Sequence, residues 1–575
     1  MQPPKPSAKS FPDLAKPLSR SGLCAMILVV ATMPAILFFD PASIAPLRRG
    51  HIPREPRSTY RLYSDDIAYV ASSRTWDRAV TNLFVPHNTH VVPVWRMITW
   101  SLVAIAGRFE SLPEVLAIAS YSVLTAVMCA VGALAARESG RVVTGLAAMA
   151  AFGTTSLLYT PATWYSAGQP LWAGLGILSA LWYAQTYRRS GSKGALILSG
   201  VSAVAAGWCW TIGHMAGPVA AVYLILDGRK RCRLAAIVPL AASVLAAGTG
   251  LALGRNSLDS TISFHGRTVG QAFNPVRGVT HSLQAIPENL VFGNLGLTVH
   301  TTASQGGVLT LGLLALWLIR PGSPRGRASA SYPRLPRLGP LESAGVVLVI
   351  GAYLVEWSFR GYLEYRYLRT INMRFIVPWY DAIPQIGFVL AAAGWHAVEA
   401  RPSKRTSPLT RRQAIAVLGL LIGLFALNKP RVDALLRASF PPLLPSELKQ
   451  LPVERLQTLR ASALLGEETD WQRSYLRRLD MAESVVRRLG VGRLGAREAI
   501  GHPWVPASLG LLSPKLYDFY DSLALLNIPE EGRQLDPRLI REALEPLLAP
   551  TPPPRPGWIE PSEPWPPPST AQPPL

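Results

Sequence analysis

Runs of roughly twenty apolar residues recur along the chain, separated by short clusters of arginine and lysine, and that alternation limits the fold more than any motif does. A helix satisfies its own backbone hydrogen bonds, so a run of this length can cross a bilayer where a loop or open sheet cannot. The first run is Gly22–Phe39. The later ones are Leu112–Ala136, Val142–Thr160, Ala167–Tyr187, Gly194–Thr211, Met215–Leu226, Leu234–Leu253, Gly306–Ile319, Leu341–Phe359, Phe375–Val398 and Ala414–Leu427. They predict an all-α polytopic membrane protein of about eleven transmembrane helices. With 16% charged residues over 575 positions and a mean hydropathy of +0.22, the chain is too apolar for a soluble multidomain protein.

The formal charge of +22 raises the question of a nucleic-acid partner. Much of that charge sits between apolar runs, where membrane topology accounts for it, and no nucleic-acid role is expected. Cys24, Cys129 and Cys209 fall in apolar runs and Cys232 in a basic loop on the inner side. No disulfide framework is therefore expected, and no Cys/His metal spacing exists. The first apolar run is too long for a signal-peptide core and lacks a small-residue cleavage site, so it reads as a retained helix.

Charge also sets the expected topology. Residues 1–20 carry Lys5, Lys9, Lys16 and Arg20 and read as a cytosolic tail. Val91–Gly107 either crosses the membrane or lies along its surface. If it does not cross, the clusters Arg137/Arg141, Arg188/Arg189/Lys193, Arg229–Arg233, Arg320–Arg337 and Arg401–Arg412 all share the side of the N-terminus. If it crosses, all five flip away. Pro93, Arg96, Trp95 and Trp100 also suit the interface, so an interfacial helix is expected. Arg48, Arg49, Arg54, Arg57 and Arg61 run against the rule, which long loops obey poorly.

On this topology a transmembrane module covers residues 21–428. Its outer side holds a first loop (residues 40–111), a second (255–302) and the short polar insert Arg360–Arg374. An extracytoplasmic, mostly helical tail follows (429–548), and a proline-rich end (549–575) is expected to be disordered.

The first outer loop holds the densest chemistry, YRLYSDDIAYVASSRTWDRAVTNLFVPHNTHVVPVWR from Tyr60 to Arg96. Ser64 is a good N-cap, which puts Asp65 and Asp66 in the first turn of a helix expected to run to about Val80. The positive end of that helix favours ionised carboxylates, suited to a general base or metal ligand; equally, the pair serves to stabilise the helix start. His87 and His90 can touch a phosphate, bind a metal or cap turns, and two histidines without a third ligand define no metal site. His265, in the second loop, is a further possible substrate or metal contact.

Arg366, Arg369 and Arg374 suit a bidentate grip on phosphate, or ordinary anchoring at lipid headgroups. His214 is an ionisable group near membrane depth at the joint of a helix pair, a candidate for function or for a hydrogen-bonded structural role.

Four of these features together resemble the GT-C superfamily of polytopic glycosyltransferases, the group of protein O-mannosyltransferases and aminoarabinose transferases of lipid A. They are the acidic pair Asp65-Asp66 after the first helix and the aromatic–proline–histidine run into an interfacial helix, Phe84–Gly107. Next comes a helix joint with a basic residue, a proline and a basic loop, here His214, Pro218 and Arg229–Arg233. Last is the Arg-aromatic-x-x-Pro entry Arg374-Phe375-Ile376-Val377-Pro378. The resemblance covers residues 20–400. It departs at His214, where relatives often carry lysine, and at Phe375, where tyrosine is common.

The resemblance implies a GT-C-like bundle in the bacterial inner membrane, with a cytosolic N-terminus and an extracytoplasmic tail. It implies inverting transfer of a sugar from a polyprenyl-phosphate donor to a hydroxyl of a glycan, lipid or protein acceptor. Asp66 or Asp65 would be the general base, and Arg374, with Arg366 or His214, would bind the donor phosphate. A divalent cation, Mg or Mn, serves some relatives and not others. The competing classes are a lipid-linked sugar flippase or transporter, and a glycan polymerase or ligase. A transporter is expected to carry broken helices and ionisable residues inside its spans, and these spans read as nearly free of them apart from Glu356 near an outer end.

Overall fold

The computed structural model describes residues 16–38, 69–70, 73, 75–85, 90–106, 112–264, 273–297, 301, 303–318, 339–370, 378–399 and 407–439. Among them the regular structure is helical, and the only bridges are isolated ones. The α-helices are α1 (Arg20–Phe38), α2 (Trp76–Thr81), α3 (Pro93–Ala106), α4 (Leu112–Ser139), α5 (Val142–Gly153), α6 (Tyr159–Thr163), α7 (Gln169–Ser190) and α8 (Lys193–Cys209). They continue with α9 (Ala216–Ile225), α10 (Lys230–Ala235), α11 (Ile237–Phe264), α12 (Pro275–Ala285), α13 (Ala303–Leu318), α14 (Pro340–Thr370), α15 (Ala382–Glu399) and α16 (Arg411–Ser439).

Five described helices are long and apolar enough to cross a membrane, or six if the bent α5–α6 pair counts as one span. This all-helical chain is compatible with a helical membrane protein. In lipid, apolar area gives helices little reason to associate, so close packing and hydrogen bonds must hold them together. Paired glycines allow the closest approaches. A Cβ on Gly145 of α5 would lie 2.6 Å from the Gly132 carbonyl of α4, and one on Gly345 of α14 would lie 2.5 Å from the Gly387 carbonyl of α15.

The basic clusters that fall on described residues gather at one end of the bundle. Leu18 N–H donates to the Leu409 carbonyl (2.8 Å), Arg411 N–H to Lys16 (3.1 Å) and Ser407 N–H to Gly140 (2.8 Å). The start of α1, the α4–α5 turn and the start of α16 therefore meet. Arg188, at the end of α7, bridges Glu138 of α4 (2.8 Å) and Asp227 after α9 (2.6 Å). The start of α1 and the end of α4 therefore both lie at this basic end.

The structure corrects four boundaries. No single helix runs from Ser64 to Val80: Thr75 has extended backbone (φ −120°, ψ 160°) and N-caps the separate, short α2. The run Val142–Thr160 bends by 56° after Gly153, where a 3-10 turn, Ser156–Leu158, intervenes. The polar stretch after Phe359 stays helical to Thr370, as α14. The second outer loop is largely helical too, because α11 extends to Phe264 and α12 leads into a π-helix, Ile286–Phe292.

Candidate functional site

At the end opposite the basic clusters, the first insert is fastened from both sides by α3. Arg96, although charged, is buried, and its Nη2 donates to the Val85 carbonyl at 3.0 Å. Its guanidinium also lies 5.7 Å from the centre of the Tyr69 ring. One side chain thus ties the segment just after Asp66 to the segment just before His87. Next to it, Trp95 stacks on Tyr165 (4.5 Å, 28°) and meets Tyr69 edge-on (6.1 Å), while Thr99 and Tyr165 share a 2.8 Å hydrogen bond. Tyr69, Val70, Val92, Trp95, Leu116 and Tyr165 form a core cluster of their own. Sequence reasoning assigned Arg96 only to the interface; its inward hydrogen bond to Val85 had no signal in the sequence.

The α8–α9 joint receives the other segments. His90 Nδ1 and Thr211 Oγ1 lie 2.5 Å apart, and Phe84 meets Trp208 edge-on at 6.0 Å. Trp210 stacks on Tyr380 (5.9 Å, 11°), within the 3-10 turn Pro378–Asp381 that follows the Arg374–Pro378 motif. The His214 ring packs directly on Gly207, and its Nδ1 is buried without a hydrogen-bond partner. Two segments far apart in sequence, Phe84–His90 and the Tyr380 turn, therefore converge on Trp208–Thr211.

Beside this joint runs an apolar groove of about 420 Å³. Leu83, Phe84, Trp172 and Trp208 form one wall, and Pro93, Val94, Met97, Ile98, Ser101 and Leu102 of α3 form the other. Its polar surface is negligible, so it can hold an apolar chain or ring and cannot by itself orient a polar group.

A second polar assembly was not foreseen. Asp381 is buried and accepts hydrogen bonds from Tyr353 Oη (2.6 Å) and Asn289 Nδ2 (3.0 Å). Asn294 and Gln385 exchange two 2.8 Å amide bonds. Asn428 accepts from Ser156 N–H (3.0 Å), satisfying the backbone freed where the α5–α6 pair bends, and donates to the Asn294 carbonyl (3.0 Å). Arg431 donates to the Leu297 carbonyl at 3.0 Å. Glu342 is also buried, so Glu356 is not alone: Asp381 and Glu342 are two more carboxylates inside the helical bundle. Asp381 was legible as an acid within the run Phe375–Val398; its partners on α14 and the π-helix were not.

Asp65, Asp66, His87, His265 and Arg374 lie outside the described residues. Arg366 lies in the C-terminal part of α14. Among the described residues, no group of three or more His, Cys, Asp and Glu side chains is placed to hold a metal ion.

The chain matches no family model and no curated protein. Among solved structures it is similar to the oligosaccharyltransferase of Archaeoglobus fulgidus. The form tethered to an acceptor peptide containing the NVT sequon matches at 14% identity and a TM-score of 0.36, over 73% of this chain and 55% of that one. The same enzyme, AglB, in complex with an inhibitory peptide and a dolichol-phosphate matches at 13% identity and 0.36, over 79% and 58%. The apo form gives 13% and 0.36, over 73% and 56%. This chain spans a little over half the length of those proteins, and a likeness of this size does not assign a family.

Proposed function

We propose that this protein is a membrane glycosyltransferase of GT-C type, moving a sugar from a polyprenyl-phosphate donor to an acceptor hydroxyl with inversion. Asp66 or Asp65 removes the hydroxyl proton as the nucleophile attacks the anomeric carbon. The departing lipid phosphate gains negative charge, which Arg374, with Arg366 or His214, stabilises. With Nδ1 of His214 buried, Nε2 is the nitrogen left to meet that phosphate. A divalent cation, Mg or Mn, would share that charge if the acidic pair holds one.

The observation that carries the reading is the convergence at the α8–α9 joint. The residues on either side of His87, the His214 joint and the Pro378 turn after Arg374 come from three distant stretches and meet beside one apolar groove. A lipid-phosphate donor calls for an apolar channel next to charged loops at a membrane surface, and this end of the molecule supplies that channel. The bundle of about eleven crossings, with an outer catalytic face and the basic end in the cytosol of a bacterial cell, belongs to the same proposal.

The test is sugar transfer from a labelled polyprenyl-phosphate sugar in membranes containing the wild type, Asp65→Asn, Asp66→Asn or the double variant. Loss of the base should lower turnover by about 10²–10⁴-fold. Full activity in all three variants would remove the acidic pair from the mechanism.

The flippase reading keeps one observation on its side: a bent helix pair and buried carboxylates are what a transporter uses. Donor movement across vesicles without transfer would favour it.

A further inference from the structure

The basic end contains an arrangement that topology alone does not require. α7 ends with Arg188 and Arg189 and stops at Gly191, whose φ of +73° turns the chain away. Five guanidinium contacts are fixed around that helix end. Arg229 Nη2 donates to the Arg188 carbonyl at 2.6 Å, and Arg231 Nη2 reaches the same carbonyl at 3.4 Å. Arg189 donates to the Arg137 carbonyl, and Arg137 itself lies over the Trp182 ring at 4.4 Å and donates to Thr186 Oγ1 at 2.9 Å.

Charge within this group does not balance. Glu138 is engaged by Arg188, Tyr223 and Gln185, and Asp227 by Arg188 and Arg229. Among the described residues no carboxylate lies within ion-pair distance of Arg137, Arg189 or Arg231. Arg189 and Arg231 thus donate to backbone carbonyls, and Arg137 to Thr186 over the Trp182 ring, with none of the three in an ion pair among the described residues.

The flank of the cluster is apolar. Trp182 is exposed beneath Arg137, and Leu234, one turn on from Arg231, is 61% exposed, as is Ile237. Fixed arginines beside exposed aromatic and aliphatic surface at helix ends match a molecule with an anionic head and apolar tails.

We infer that the junction of α4, α7 and α10 is a binding site for the phosphate headgroup of an anionic phospholipid, gripped by Arg137, Arg189 and Arg231. Ordinary juxtamembrane arginines would favour anionic lipid diffusely. A built site instead retains a defined number of lipids.

The test is native mass spectrometry of the full-length protein in detergent, with phosphatidylglycerol or phosphatidylcholine added. Phosphatidylglycerol should be retained at discrete stoichiometry, and phosphatidylcholine released. Each arginine removed should weaken retention by about fivefold, so Arg189→Gln with Arg231→Gln should lose about twenty-fivefold. Arg231→Gln alone gives up only one long hydrogen bond, so it leaves the fold intact and reports the fivefold step if the double variant misfolds. Arg141→Gln, at the same end but beside Ser407, should retain lipid as the wild type does. Equal retention of both lipids, or unchanged retention in Arg231→Gln, would overturn the site. Complete displacement by millimolar inorganic phosphate would identify free phosphate, not a lipid, as the ligand.

Discussion

The two ends of the bundle hold their helices together by different means. At the basic end, full charges do the work: Arg188 joins α4 to the α9–α10 turn through Glu138 and Asp227, with the Tyr223 hydroxyl donating to Glu138 at 2.7 Å. At the opposite end, amides and rings take over, in the Asn294–Gln385 pair, Asn428, the Trp95–Tyr165 stack and the Trp210–Tyr380 stack. Ion pairs suit a surface where water and headgroups can solvate what is left over. Neutral amides suit a partly enclosed region, because an unpaired amide there costs less than an unpaired charge. The difference implies that the basic end is an ion-pair latch, whereas the far end holds its buried charges, Arg96 and Asp381, on neutral partners.

Breaking the latch should have the largest effect on stability. Arg188→Met would remove the ion-pair partner that Glu138 and Asp227 share, leaving Glu138 to Tyr223 and Gln185 and Asp227 to Arg229; removing one member of a buried pair typically costs about 3–5 kcal/mol. Arg188 is a quarter exposed, so solvent offsets part of that, and a loss of about 3 kcal/mol is expected. Thermal or denaturant unfolding in a fixed detergent measures it. A change of a few tenths would mean that the latch is ornamental and that the charges merely face solvent.

The matching cut at the other end is Asp381→Ala. It strands the Tyr353 hydroxyl and an Asn289 amide hydrogen, for about 2 kcal/mol by the usual cost of unsatisfied buried donors. Asp381→Asn keeps an acceptor for Tyr353 and should recover part of that loss. If Asn is as damaging as Ala, the carboxylate charge itself matters there, and neutral hydrogen bonding does not account for the far end.

The same contrast separates what hydropathy reveals from what it hides. Helix positions were legible because a twenty-residue apolar run has few other solutions: the run Gly22–Phe39 became Arg20–Phe38, and Leu112–Ala136 became Leu112–Ser139. A hydropathy window cannot see the break after Gly153, since Thr154, Thr155 and Ser156 are tolerated in apolar helices. What stabilises it is Asn428, 272 residues away. Nor can it follow a helix into polar surroundings, which is why α14 beyond Phe359 looked like a loop. In the candidate site, residue types were readable and their partners were not. The His90–Thr211 contact joins positions 121 apart, and Arg96 gave no sign that it turns inward to Val85.

Asp227 offers the subtlest test of the latch, through pH. Burial pushes its carboxyl up, but hydrogen bonds from Arg229 and Arg188 outweigh that and bring it down to about 2 from an ordinary 3.8. A carboxylate whose folded pKa is depressed adds stability above its unfolded pKa and loses it as pH falls through the folded one. The contribution of Asp227 should therefore be complete at neutral pH, decline as pH approaches and passes the ordinary carboxylate value, and be lost as pH falls through the folded value of about 2. The difference in Tm between the wild type and Asp227→Asn should be flat from neutral pH down to about pH 5, then narrow steadily on further acidification. A gap that closes well above the ordinary carboxylate pKa would point to a group other than Asp227. A gap that persists unchanged into strong acid would mean that Asp227 contributes through shape alone, and the basic end would then be held, like its opposite, by packing.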